Sequence, residues 1–208
     1  MVNTQKIVEV LLYTREIIEE NKLYLTELDA AIGDGDHGIN MAKGFNAAKE
    51  KIESSEFDNP GALLKSVGMA LISKVGGASG PLYGTMFLNA GKIIGDKEEI
   101  DVKDLVEMLD SGLEGVKMRG KANLGDKTMI DSIEPSIEAM RASIEAGDDY
   151  KVTLEKAVEA ATKGVAYTET IAAKKGRAAY LGDRSIGHKD PGAESFRFII
   201  KSISDSFQ

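Results

Sequence analysis

The chain has 208 residues, 42% of them hydrophobic and 29% charged, with a formal net charge of −8. That length is enough to bury a sizeable core in one domain, and the absence of cysteine rules out disulfides, thiolate nucleophiles and cysteine-bound zinc or iron–sulfur centres. The acidic balance argues against nucleic acid as a partner, because phosphate backbones need clustered Lys and Arg. No apolar run approaches the roughly 20 residues of a membrane helix. Met1 to Gln5 is polar and lacks the basic start and apolar centre of a signal peptide, so the expected location is the cytoplasm.

In chain order, helical periodicity dominates. Ile7, Leu11 and Ile18 recur at roughly helical spacing over residues 3–21, and further helices are expected over 37–53, 60–75 and 80–95. Leu105, Val106, Leu109, Leu113 and Val116 form one buried stripe within 101–118. A helix over 127–146 carries Pro135, which is expected to kink it. Leu154, Ala157, Val158, Ala161 and Val165 repeat the stripe over 151–170, and Phe196, Ile199, Ile200, Ile203 and Phe207 do so over 191–207. Pro60-Gly61 opens a helix, and Asp101 and Asp126 read as N-caps. No stretch alternates with period two and no low-complexity linker divides the chain. The expectation is one all-α domain over residues 1–208.

Three glycine-rich loops break this pattern. The first runs from Asp29 to Asn40 and contains Gly-Asp-Gly-Asp-His-Gly. Glycines around Asp34 and Asp36 let the backbone turn sharply enough for both carboxylates to face one centre, and Asp29 lies close enough in sequence to join them. Three close carboxylates repel unless cations neutralise them, and hard oxygen ligands suit Mg²⁺ or Ca²⁺. The spacing fails the EF-hand pattern: counting from Asp34, the fifth position is Gly38 and the sixth Ile39. A solvated acidic turn, capped by Asp36 or His37, is the competing reading. The second loop, Gly76-Gly-Ala-Ser-Gly-Pro81, places backbone N–H groups at a helix N-terminus. It reads equally as an anion site and as a tight interhelical turn. The third, residues 176–192, is too long for an ordinary connection and carries Arg177, Arg184, His188 and Lys189. Arg177 suits phosphate or a nucleobase face, and Asp190-Pro191-Gly192 reads as a rigid turn. Between two helices, Lys121 and Lys127 are candidates to balance phosphate charge, and Met129 to pack on an adenine face or in the core.

Taken together, Asp29 with Gly-Asp-Gly-Asp-His-Gly, Gly-Gly-Ala-Ser-Gly-Pro-Leu-Tyr-Gly-Thr, Gly-Asp-Lys-Thr-Met-Ile-Asp, and the run from Gly176 to Ala193 resemble the L (nucleotide-binding) subunit of bacterial dihydroxyacetone kinases. The resemblance covers almost the whole chain, with the motifs in the family's order. It implies an antiparallel barrel of eight helices with nucleotide-binding loops at one end. It implies that Asp29, Asp34 and Asp36 bind two Mg²⁺ ions bridging the phosphates of ADP or ATP. By the same match His37, Gly38, Ile39 and Asn40 lie along the nucleotide, and Ala78 and Ser79 meet phosphate. Gly120 and Met129 border the adenosine, and Arg177 and Asp190-Pro191-Gly192 close over it. No catalytic residue is nominated.

The implied reaction is phosphorylation of dihydroxyacetone, held on a separate K subunit, with the phosphotransferase-system M subunit recharging bound ADP. A homodimer and contact with a transcription regulator are further expectations; neither nucleic acid nor a membrane is. Alternatives are an ATP-dependent kinase subunit for another small polyol or ketose, and a non-catalytic regulatory homologue.

Overall fold

Most helices of the chain begin at a residue whose side chain satisfies the first free N–H groups. In this computed structural model, which describes all 208 residues, Asn3 accepts from Lys6 N–H, Asn59 from Ala62 N–H, and Asp149 from Lys151 and Val152. Asp101 forms a reciprocal capping box with Asp104. These caps start α1 (Thr4–Glu20), α4 (Pro60–Lys74), α8 (Tyr150–Thr170) and α6 (Val102–Gly120). Asp190 does the same for α9 (Pro191–Asp205). Proline occupies the first position of both α4 and α9, where its missing N–H costs no hydrogen bond. The remaining helices are α2 (Lys22–Ile32), α3 (His37–Glu53), α5 (Ser79–Ile94) and α7 (Ile130–Glu145), none of which has a side-chain cap from its own N-cap residue.

The fold is all-α, with nine α-helices rather than eight segments. The added element is α2, which the periodicity reading left unassigned; the chain turns at Asn21, whose amide donates to Ile17 O, and resumes a helix at once. Asp29 therefore lies in the last turn of a helix. A 3-10 helix, Arg177–Ser185, occupies the third loop, and Val2–Asn3 (β1) pairs antiparallel with Glu99–Ile100 (β2). Asp126 is not an N-cap: α7 starts at Ile130, and the Asp126 carboxylate accepts from Asn123 N–H instead. Pro135 lies inside α7, which runs through it from Ile130 to Glu145.

Packing closes a ring in the order α1, α3, α4, α5, α6, α7, α8, α9 and back to α1, with α2 laid against α3 and α9 outside it. Neighbours in the ring run in opposite directions. One end of the ring gathers the N-termini of α3, α5, α7 and α9 and the C-termini of α4, α6 and α8. A single cluster of 37 buried apolar residues lines the inside. Ile18, Leu25, Leu63, Val67, Leu71 and Ile133 are completely buried, and each such side chain stabilises the fold by about 1.5–3 kcal/mol. The far end encloses an apolar cavity of about 560 Å³ bordered by Ile7, Leu11, Met86, Leu109, Leu154 and Ile203. No helix is long and apolar enough to cross a membrane.

One helix contact ties the ring to the polar end. Pro135 has no N–H, so the carbonyl of Asp131 loses its partner one turn back. Gly164 of α8 packs against that carbonyl, and a Cβ there would lie 2.0 Å from the Asp131 oxygen. Gly164→Ala is expected to lower unfolding stability by about 1–3 kcal/mol, because backbone must move. Urea denaturation checks this.

Candidate functional site

The polar end of the ring is built around α2, α3 and the turn between them. Asp29 is buried, and its Oδ2 accepts from Asp36 N–H at 2.8 Å and His37 N–H at 3.1 Å. It thereby caps α3 from the preceding helix. Asp36, at the N-cap position, makes no capping bond, so its carboxylate is free. Gly35 turns the chain with φ of 71°. The result is that one carboxylate oxygen each from Asp29, Asp34 and Asp36 lie within 4.8 Å of one another. Repulsion at that separation calls for cations, and three oxygen donors at one point suit a hard divalent ion. The Arg177 guanidinium already lies 2.9 Å from Asp34 Oδ2, supplying positive charge from the rim.

Across a cleft from these carboxylates stands the loop Gly76–Ala78 and the start of α5. Ala78 offers no side-chain cap, which leaves the first N–H groups of α5 free for an acceptor. Ser79 Oγ, at this N-terminus, lies 2.9 Å from His37 Nδ1. His37 is buried, and burial holds its imidazole down to about 4, against an opposing pull from Asp29. The ring is therefore neutral near pH 7. Its Nε2 lies 2.9 Å from Ser195 Oγ of α9.

The third wall is the segment 171–192. Lys127 borders the cleft but is fully buried, and its ammonium is turned to backbone carbonyls rather than left free for phosphate charge as the sequence suggested. The three N–H groups of its ammonium are shared among the carbonyls of Thr168, Ile171, Ser185 and His188, a cage that fastens the 3-10 helix to the end of α8. Burial lowers its proton affinity, opposed by Asp190, Glu169 and Asp131. Asp131, also buried, accepts from Gly125 N–H at 2.6 Å and Thr128 N–H at 2.8 Å, shaping the turn that holds Lys127. Thr168 Oγ1 accepts from Asp190 N–H at 3.0 Å, which fixes the Asp190-Pro191-Gly192 turn. Its surroundings push the Asp190 carboxyl up to about 7: burial leads, the Ala193 N–H opposes, Asp131 adds, Lys127 opposes and Asp29 adds.

Asp29, Asp34, Asp36, His37, Ala78, Ser79, Met129, Arg177, Asp190, Pro191 and Gly192 all line this one cleft. The other named positions stand apart. Gly38 packs on α2, where a Cβ would meet Lys22 O at 1.9 Å. Ile39 is exposed and Asn40 lies against Gly76. Gly120 ends α6 behind Leu82, which does line the cleft. Lys121 is exposed at the α6 C-cap, off the cleft lining. Sequence reading missed Tyr83, Asp131, Thr168 and Ser195, which sit at ordinary helical positions; Tyr83 and Asp131 belonged to quoted motifs, but no role attached to them there.

Lys127→Met would leave four carbonyls without their donor and is expected to cost about 3 kcal/mol or more. Hydrogen exchange should rise in residues 171–190 before it rises in the ring helices. Folded Asp190 holds its proton to about 7, whereas the unfolded chain releases it near 3.8. Between those values the folded state binds more protons, so this group makes stability fall as pH rises. Asp190→Asn keeps the cap and is expected to remove that fall, which denaturant titrations from pH 4 to 7 without metal would read.

The sequence profile of the DAK2 domain matches residues 31–205. The chain is 47% identical to the ADP-binding subunit DhaL of PEP-dependent dihydroxyacetone kinase 1 from Listeria innocua, covering 90% of this chain and 89% of that one. It is 44% identical to the ADP-binding subunit DhaL of PEP-dependent dihydroxyacetone kinase from Escherichia coli K12, over 91% and 90%. Among solved structures, it is similar to the dihydroxyacetone kinase of C. freundii in its native form. The TM-score is 0.76 at 25% identity, over 99% of this chain and 35% of that one. The same enzyme in complex with AMP-PNP and Mg²⁺ gives a TM-score of 0.73, over 96% and 33%. The chain thus spans about a third of the C. freundii kinase but nearly all of the curated subunits. It belongs to the DAK2 domain family and, within it, to the ADP-binding subunit type of dihydroxyacetone kinases.

Proposed function

We propose that this chain holds ADP or ATP with two Mg²⁺ ions in the cleft between α3 and α5. In this reading it passes the phosphoryl group from a phosphotransferase-system M subunit to dihydroxyacetone on a K subunit, giving dihydroxyacetone phosphate. The observation that carries the reading is the convergence of the Asp29, Asp34 and Asp36 carboxylates opposite the uncapped start of α5. It is supported by relatives named ADP-binding subunits of PEP-dependent kinases and by a structural neighbour that holds AMP-PNP and Mg²⁺. Cytoplasmic location and a homodimer belong to the same reading.

Phosphoryl transfer needs alignment and charge neutralisation more than covalent help from protein. Asp29, Asp34 and Asp36 would hold Mg²⁺, which would supply the neutralisation. The chain's own residues do the rest. Asp29 fixes the turn that aims Asp34 and Asp36. The first N–H groups of α5 receive phosphate oxygens. Arg177, an exposed side chain at the rim, exchanges its contact with Asp34 for one with phosphate. Met129 and the turn at Asp190 to Gly192, which touch each other, border the adenosine.

Other ketose kinases remain the runner-up. An L-erythrulose 1-kinase of Mycolicibacterium smegmatis is 32% identical, but this chain spans 35% of it. The free-standing subunits match at higher identity and nearly full length, which favours dihydroxyacetone. Denatured protein is expected to release about one ADP per chain, and Asp34→Ala protein none. Calorimetry on the stripped protein should show Mg²⁺-dependent ADP binding weakened at least tenfold by Asp34→Ala. Unchanged affinity would remove the aspartates from the site.

A further inference from the structure

Behind the cleft, five polar groups from three helices, α3, α5 and α9, form a connected hydrogen-bonded chain. Ser79 Oγ meets His37 Nδ1 at 2.9 Å, and His37 Nε2 meets Ser195 Oγ at 2.9 Å. Ser195 Oγ meets Tyr83 Oη at 2.7 Å and Gly192 O at 3.0 Å, and Tyr83 Oη also meets Gly192 O at 3.1 Å. Tyr83 and Ser195 are completely buried. The His37 ring has a hydroxyl, and no carboxylate, on each nitrogen, so in this buried place it carries one proton.

The protons can then be counted. Ser79, His37, Ser195 and Tyr83 bring one each to five contacts. With the ring proton on Nε2, all four are used: Ser79 donates to Nδ1, Nε2 to Ser195, Ser195 to Gly192 O, and Tyr83 to Ser195. Only the longest contact, Tyr83 to Gly192 O, goes without. With the proton on Nδ1, Ser195 must donate to Nε2 and Ser79 gives nothing to the chain. Three contacts are then served, and two of the three contacts among Ser195, Tyr83 and Gly192 O hold no proton, against one in the Nε2–H form. The Nε2–H form therefore makes one more of these buried hydrogen bonds.

We propose that Tyr83 and Ser195 are positioning residues that lock His37 as its Nε2–H tautomer, so that Ser79 spends its proton on His37 and faces the cleft as an acceptor. The side-chain oxygen of Ser79 then offers lone pairs to the cleft, across from the carboxylate cluster. It is suited to a divalent cation or to cation-bound water, and unsuited to donate to phosphate. Phosphate at this helix start is received by backbone N–H groups alone. This assignment rests on the nucleotide and metal reading for its role, and on the contacts above for its geometry.

The chain has only two histidines, at 37 and 188, so ¹⁵N-histidine labelling gives two ring systems, and His188→Gln identifies them. The expected result is Nε2–H with an accepting Nδ1 on His37, both in the stripped protein and with Mg²⁺ and ADP. Ser195→Ala removes the acceptor for Nε2–H. It is expected to move His37 towards the Nδ1–H form and to weaken Mg²⁺-dependent ADP binding several-fold, with the far-ultraviolet circular dichroism spectrum kept. An Nδ1–H or doubly protonated ring in the wild-type protein, or an unchanged ring signature in Ser195→Ala, would overturn the lock. Calorimetry on the same samples separates the two ideas. Wild-type protein that shows the Nε2–H form but binds no Mg²⁺ and ADP would overturn the nucleotide reading and the role of Ser79 in it.

Discussion

The polar end of this molecule depends on a single carboxylate oxygen. Asp29 Oδ2 accepts the N–H groups of Asp36 and His37, so α2 caps α3 across the intervening turn. Three consequences follow from those two bonds. The turn 33–36 acquires one shape, the Asp36 carboxylate is released from capping, and His37 enters the ring at a fixed angle. The arrangement brings three like charges together, which is unfavourable without cations. An acidic protein that binds phosphates through metal ions resolves both repulsions at one place.

The same end is held shut from the other side by an inverted piece of electrostatics. Lys127 is a buried cation surrounded by carbonyl oxygens, with Asp131, Glu169 and Asp190 at longer range. A buried ammonium is costly unless its donors are used. Here they are used on four carbonyls that have no regular helical partner, because α8 has ended and the 3-10 helix has not reformed a ladder. The cation therefore organises irregular backbone, a task that an apolar side chain of the same volume does not perform.

The ring explains why the site lies where it does. Alternating helix directions bring four N-termini to one end, and those of α3, α5 and α7 carry no side-chain cap of their own. Helices whose N-termini lie at the far end, such as α1 and α6, are capped by Asn3 and Asp101. Helix starts without a cap of their own, and their partial positive charge, thus accumulate around the cleft, whereas the far end is apolar.

The sequence by itself determined the helical class, the stripes of the long helices and the three loops of chemical interest. It did so because period, caps and glycine clusters are local properties. Helix α2 escaped because it is only 11 residues long and Asn21 interrupts the pattern without ending the helical path. Asp126 looked like a cap because a lone Asp before a helical pattern is ambiguous until the turn is built. The direction of Lys127, the adjacency of His37 to Ser195, and the meeting of Tyr83 with Gly192 were decided only by tertiary structure. Those groups are separated by up to 158 residues, and a side chain's partner at that distance is set by ring closure rather than by neighbours in the chain.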